Sequence, residues 1–394
     1  MSIETKRSRR GILAVVATGN FAQLGTRLLL GSLVPLILID LEGATKSTVG
    51  LSLTGLWAIY ALLQFPSGVL ADRLGEHRLL ALGLGGTILG AVLVAAAPSL
   101  WLFGAFVLLL GAGTGLFFSP ASSLLSRLFV EQGGPLGTLT AVGALAGMIY
   151  PVVGGFVGVE YGWRTAVLLT NVVAVPVLVG TLVYVPSITP ANPERSLSAA
   201  LDPSQIWDLF SRPSVAYTTV VAVMVGFTFQ AFSSFFPTFL VEYRNLDPEI
   251  AGAFFAVAFG LSSVAQPIAG RFSDRRSRDA AIAGSVVLTA SGFATLLAVP
   301  GLAGLAIGTV VLGVGVSWPG SVQARFMDQF EDEERGFGFG LVRSVYMFLA
   351  APGSVVVGAL ADTGGWIFGY GVVIAILTLC LLVLGINRVL SLDL

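Results

Sequence analysis

The chain has 394 residues, 55% of them hydrophobic and 11% charged, with a mean hydropathy of +0.89 and a net charge of −1. A water-soluble globular protein of this length needs far more surface charge, so that class is excluded. A single cysteine, Cys380, and a single histidine, His77, exclude an internal disulfide and a cysteine–histidine metal centre.

The N-terminus is basic and leads into an apolar run of more than 25 residues. That is too long for a signal-peptide core, and no small-residue cleavage site closes it, so it reads as a retained span. Turn residues and charges then cut the chain into segments at 12–39, 48–70, 79–97, 100–126, 136–158 and 165–185. After a proline- and serine-rich polar stretch at 186–212 come 214–241, 249–271, 280–299, 301–325, 337–361 and 366–388. A bilayer crossing takes about 20 apolar residues. In lipid each backbone amide must be satisfied within its own segment, and strict alternation is lacking, so these are helices and not barrel strands. The expectation is an all-α membrane protein of twelve spans, numbered 1 to 12 in chain order. A six-helix bundle at 1–187 and another at 213–394 flank a cytoplasmic linker at 188–212. Within the linker, Asp202 is placed to cap a short amphipathic helix carrying Ile206, Leu209 and Phe210 on one face.

Of the 21 Lys and Arg residues, 16 fall on the side of the termini. Three (Lys46, Arg164 and Arg244) fall on the other side, and Arg27 and Arg343 fall inside spans. The positive-inside bias places both termini in the cytoplasm of a multi-pass plasma-membrane protein.

The halves repeat. At an offset of 202, Pro35 meets Pro237, Gly50 meets Gly252, Gln64 meets Gln266, Gly68 meets Gly270 and Asp72 meets Asp274. With small slips, Pro120 meets Pro319 and Pro151 meets Pro352. Prolines cost helix hydrogen bonds, so their recurrence at matched depths points to duplication. An even number of spans per half makes the copies parallel repeats about an axis along the membrane normal.

Each half carries a charged cassette after its second span: GVLADRLGEHR at 68–78 and GRFSDRRSRDA at 270–280. In the first, Gly68, Leu70, Ala71, Asp72, Arg73, Gly75 and Arg78 match the pattern Gly-x-Leu-Ala-Asp-Arg-x-Gly followed by basic residues. Glu76 and His77 stand at expected basic positions. The second keeps Gly270, Asp274 and Arg275, with Arg276 and Arg278. With the duplicated six-helix unit, the cassette resembles that of the major facilitator superfamily. The resemblance implies alternating access, with Gly68, Asp72, Arg73, Gly75, Arg78, Gly270, Asp274 and Arg275 acting in gating. Asp72 is expected to face the unpaired amides at the start of span 11, and Asp274 those at the start of span 5. The basic residues also suit anionic lipid headgroups. Span 5 carries Tyr150, Pro151, Val152, Val153, Gly154 and Gly155, a partial match to the family's antiporter signature with Tyr150 where glycine is expected. The family's span 4 arginine is absent near Val107.

Polar residues at depth mark the candidate site. Span 1 carries Asn20, Gln23 and Arg27 on one face, and the resemblance places spans 1, 4, 7 and 10 around a central cavity. Gln230 on span 7 and Trp318 on span 10 join Arg27, Asn20 and Gln23 as substrate-binding candidates. Trp57, Tyr60 and Gln64 of span 2 border them. Arg27 lies about 24 Å along the helix from Gly11 and about 20 Å from Asp40, too deep to reach either water layer. Arg343, beside Tyr346, either meets substrate or reaches Asp72; it is assigned to the gate. No Asp or Glu falls mid-span; Asp40, Asp72, Glu242, Asp274 and Asp362 all sit at span ends, which disfavours simple proton coupling. An arginine without a buried acid favours an anionic small-molecule substrate, with a proton-driven efflux pump for lipophilic compounds as the alternative. An intramembrane enzyme lacks nucleophile–base pairs or paired acids, and neither Lys6 nor Lys46 ends a phosphate loop. The expected partners are that solute and the lipid bilayer. No cofactor, nucleic acid or obligate protein partner is inferred.

Overall fold

The computed structural model describes residues 3–131, 133–190, 202–331, 334–390 and 392. Among them, twelve helices are long and apolar enough to cross a membrane. Spans 1 to 6 are Arg9–Asp40, Lys46–Leu74, Glu76–Ala96, Leu100–Leu128, Gly134–Tyr161 and Trp163–Tyr184. Spans 7 to 12 are Pro213–Arg244, Pro248–Arg275, Arg278–Ala298, Gly301–Met327, Phe337–Gly364 and Trp366–Val389. The fold is all-α. With twelve crossings, both termini and the segment joining spans 6 and 7 lie on one face, the termini face; the opposite one is the far face. Part of the expected linker, 191–201, lies outside the described residues. Its end forms the helix Pro203–Ser211, where the Asp202 carboxylate accepts from the Ser204 amide at 3.0 Å.

Spans expected to be continuous are broken in four places. Span 4 divides into Leu100–Gly115 and Phe118–Leu128, span 10 into Gly301–Gly315 and Pro319–Met327, and span 11 into Arg335–Ala350 and Gly353–Gly364. Each break falls just ahead of a proline (Pro120, Pro319 or Pro352), whose ring displaces the carbonyl one turn back and removes its donor. Span 6 breaks at Thr170, whose hydroxyl donates to the Val167 carbonyl at 2.7 Å and competes with the helix ladder.

Neighbouring side chains meet the backbone groups that these breaks release. Gln64 donates to the Gly115 carbonyl at 3.4 Å, and Ser262 of span 8 donates to the Val316 carbonyl at 2.9 Å. The break in span 11 is met from the other half: the Thr54 hydroxyl donates to the Ala351 carbonyl at 3.1 Å and accepts from the Val355 amide at 3.0 Å. Buried backbone groups need such partners, so these contacts hold the broken spans in place.

The halves pack on each other through spans 1 with 7, 2 with 11, and 5 with 8. Gly252 of span 8 lies so close to the Pro151 carbonyl of span 5 that a Cβ there would stand 2.6 Å from the oxygen, so only glycine fits. Spans 4 and 10 have no extended contact with each other among the described residues. The contacts between the halves run from the far face, where Asp362 meets Lys46, to the Phe65–Phe337 ring pair, 5.2 Å apart, on the side of the termini face. On the far side, Phe232, Phe236, Phe239, Phe255, Trp366 and Tyr370 form a contiguous aromatic core in the second half.

Candidate functional site

Arg27 is 5% exposed at mid-span. Its guanidinium carbon lies 3.7 Å from the Tyr60 ring centre and 4.8 Å from that of Trp57. Tyr60 and Trp57 sit three residues apart on span 2, on one helical face, which is how one span offers two rings to one cation. The Arg27 Nε donates back to the Gln23 carbonyl at 3.3 Å, while Nη1 is buried without a partner. Stacking occupies the π face of a guanidinium and leaves its in-plane N–H edge for an anion. No Asp or Glu pairs with Arg27 among the described residues.

A second cation approaches from the opposite half. Arg343 of span 11 stacks on Phe118 of span 4 at 4.4 Å and lies within electrostatic range of both Arg27 and Tyr60. Tyr346, one turn further along span 11, is in contact with Arg343. Phe229 of span 7 closes the wall behind Trp57, with ring centres 6.2 Å apart. The centre thus combines two arginines from different halves with an aromatic lining. Nothing in their sequence separation announces that meeting; it follows from the packing of span 2 on span 11.

The remaining substrate-binding candidates are all buried. The Asn20 side-chain amide donates to the Leu139 carbonyl of span 5 at 2.9 Å. The Gln23 side-chain Oε1 accepts from the Thr87 hydroxyl of span 3 at 2.6 Å, leaving its buried Nε2 unpartnered. Gln230 packs its Cβ side against Gly353 of span 11 and keeps a buried, unpartnered Oε1. Trp318 is buried at the break in span 10. Asn20 and Gln23 thus spend hydrogen-bonding capacity on neighbouring spans of their own half.

The gating candidates lie on the termini face. Gly75 makes the turn between spans 2 and 3 at φ +92°, a conformation that an L side chain resists. Gly68 faces Ser119 of span 4. Asp72 is half-buried, and Arg73 and Arg78 are exposed. In the second cassette nothing crowds Gly270, Asp274 and Arg275 are exposed, and Asp274 pairs with Arg278 four residues on. Asp274 thus bonds within its own corner, and among the described residues it has no hydrogen bond or ion pair to span 5.

Three polar groups escaped the sequence reading. Glu76 is 1% exposed and receives Arg127 Nη1 at 2.8 and 3.0 Å, with Ser123 at 3.1 Å. His77 is half-buried, its Nδ1 2.8 Å from the Val185 carbonyl. At the far face Lys46 lies between Glu242 at 3.1 Å and Asp362 at 3.4 Å.

The family model described as Major Facilitator Superfamily matches residues 16–318 and 221–390. A membrane sensor protein, UhpC, of Salmonella typhimurium is 28% identical over 175 residues, 43% of this chain and 38% of that protein. A multidrug resistance protein B homolog of Mycobacterium tuberculosis is 30% identical over 159 residues, 39% of this chain and 29% of that protein. The chain therefore spans well under two thirds of the length of these relatives. Among solved structures, a mutant of the nucleoside transporter NupG superposes with a TM-score of 0.79 at 14% identity, covering 95% of this chain and 98% of that one.

Proposed function

Because the chain belongs to the Major Facilitator Superfamily, whose members are transporters, we propose that it carries a small organic anion across the plasma membrane by alternating access. Arg27 is the anchor of this reading. An arginine at mid-bilayer costs at least about 2.5–3.5 kcal/mol unless water or a partner neutralises it. Here the guanidinium is buried, stacked on two rings and left with an unpartnered Nη1. That single observation carries the proposal: a carboxylate or phosphate supplies the missing charge and can take both in-plane donors. Arg343, arriving from the other half, shares the anion's field and lets binding be felt by both bundles. The Trp57, Tyr60 and Phe229 rings favour an apolar or aromatic body on the same solute.

The aromatic wall also supports a second reading, efflux of lipophilic drug-like compounds. The 16-to-3 distribution of loop cations supports a cytoplasmic position for the termini face.

The test compares Arg27→Lys with Arg27→Gln in proteoliposomes. Lysine keeps the charge without the planar fork, so weak anion uptake should persist; glutamine should abolish it. Normal anion transport by the glutamine variant, or transport of neutral and cationic compounds only, overturns the anion site and leaves the efflux reading.

A further inference from the structure

Spans 2 and 11 run antiparallel and come from opposite halves. At the far face, span 2 begins at Lys46. Its own cap residue, Thr45, accepts from the Thr48 amide, which leaves the Lys46 and Ser47 amides to be met by something else. They are met by Asp362, near the end of span 11. Its Oδ2 accepts from the Ser47 amide at 2.7 Å and the Ser47 hydroxyl at 2.5 Å, and its Oδ1 accepts from the Lys46 amide at 3.2 Å. A carboxylate at this position satisfies orphan donors and meets the positive end of the helix dipole. The cap is thus supplied by one half of the carrier to the other.

The charge around it is arranged to favour the closed contact. Lys46 Nζ reaches Asp362 and also Glu242 of span 7. The Trp366 indole of span 12 donates to Glu242 at 3.0 Å, which fixes that carboxylate on the same spot. One lysine of the first half is held by two acids of the second.

The sequence around Asp362 reads GALADTGG, from Gly358 to Gly365. Gly358, Leu360, Ala361, Asp362 and Gly365 repeat the spacing of Gly68, Leu70, Ala71, Asp72 and Gly75. The core of the cassette therefore stands at the C-terminal end of span 2, on the termini face, and again at the C-terminal end of span 11, on the far face. In an antiparallel pair, each of these ends lies beside the start of the other helix.

We propose that Asp362 is a far-face gating residue, capping span 2 in trans. This rests on the alternating-access reading of the chain, and is independent of what Arg27 binds. In the conformation described here the Asp362 cap is made. Opening the far face must uncover the Lys46 and Ser47 amides. The cap thereby weights the equilibrium toward the conformation closed at the far face.

The experiment measures far-face opening directly, without substrate. Ser233 of span 7 is buried where that span meets Gly31 of span 1, and the native Cys380 is buried. A Ser233→Cys reporter in the purified full-length chain therefore reacts with a maleimide only when the halves part. Asp362→Asn keeps the size of the side chain and removes its charge, and should raise the labelling rate roughly five-fold, the effect expected of a helix-terminus charge. Ser47→Ala, which deletes one donor to the carboxylate, should raise it less. Unchanged labelling in folded Asp362→Asn overturns the proposal. If Asp362→Asn does not yield folded protein, Ser47→Ala decides, and unchanged labelling there overturns it. Loss of anion binding at Arg27 leaves these rates untouched, so the two readings fail separately.

Discussion

The corner built on residues 68–78 and the corner built on residues 270–280 start from matching sequence and end as different structures. In the first, Gly75 turns the chain at φ +92° and Glu76 drops into the core, where Arg127 holds it with both carboxylate oxygens. In the second, Ser277 stands at the place of Gly75, with extended backbone and a hydroxyl that accepts from the Ala280 amide. Its charges stay outside: Arg278 bridges Asp274 and Asp328, both largely solvated. The acid that stands in for Glu76, one position beyond the 202 offset, is Asp279, which Arg325 holds at 2.5 Å and Asn387 at 3.1 Å, but its side chain is 20% exposed where that of Glu76 is 1%. Duplication therefore preserved the pairing of an acid at the start of the third span with an arginine at the end of the fourth. It did not preserve the depth of the pair, and depth decides what each pair is worth.

The largest effect should come from Arg127→Ala. It leaves the Glu76 charge buried without a cation, a loss of about 3–5 kcal/mol on the scale of broken buried pairs. The melting temperature in detergent should fall steeply, and Glu76→Gln in the same background should recover part of it. Recovery failing to appear would mean that Arg127 acts through its contact with the Thr189 carbonyl and not through Glu76. Arg325→Ala should cost less, about 1.5–3 kcal/mol, because Asp279 keeps Asn387 and some water. Equal shifts from Arg127→Ala and Arg325→Ala would erase the distinction drawn between the corners.

The smallest effect concerns pH. Hydrogen bonds from Arg212, at 2.8 and 2.9 Å, hold the Glu334 carboxyl below the ordinary glutamate range, and the same contact raises Arg212. A carboxyl lowered in the folded state contributes stability above its unfolded pKa of about 4.3, and loses it as pH falls through the folded value. Both side chains are more than a third exposed, so the contribution stays within about 1 kcal/mol. Melting temperatures measured at falling pH should show Glu334→Gln converging on the parent, with no difference between them at the acid end. A gap that widens with acidity would reverse the sign of the linkage.

Much of the fold was legible because bilayer thickness acts on composition. A segment that must satisfy its own amides and face lipid declares itself by length and apolarity alone, so twelve spans and their duplication could be read residue by residue. Arg27 declared itself too, since a cation far from either water layer has few explanations. The helix breaks ahead of Pro120, Pro319 and Pro352 were harder, because Pro35, Pro151 and Pro237 sit inside unbroken helices. Whether a proline kinks or breaks a span depends on who meets the released backbone groups. Gln64 and Thr54 do so in spans 4 and 11, and neither is adjacent in sequence to the break it serves.

The sequence by itself determined which stretches cross the membrane, that they repeat, and which charges are too deep to be ornamental, since each of these is a local property of a helix in lipid. Only the tertiary structure decided who meets whom across the halves. It set Arg27 on Tyr60 and within the field of Arg343, sank Glu76 on Arg127, and brought Asp362 to the start of span 2, 315 residues away from Ser47. These contacts depend on how spans from different halves pack side by side. Helical periodicity tells which face a residue occupies, and it carries no information about the helix that will cover that face.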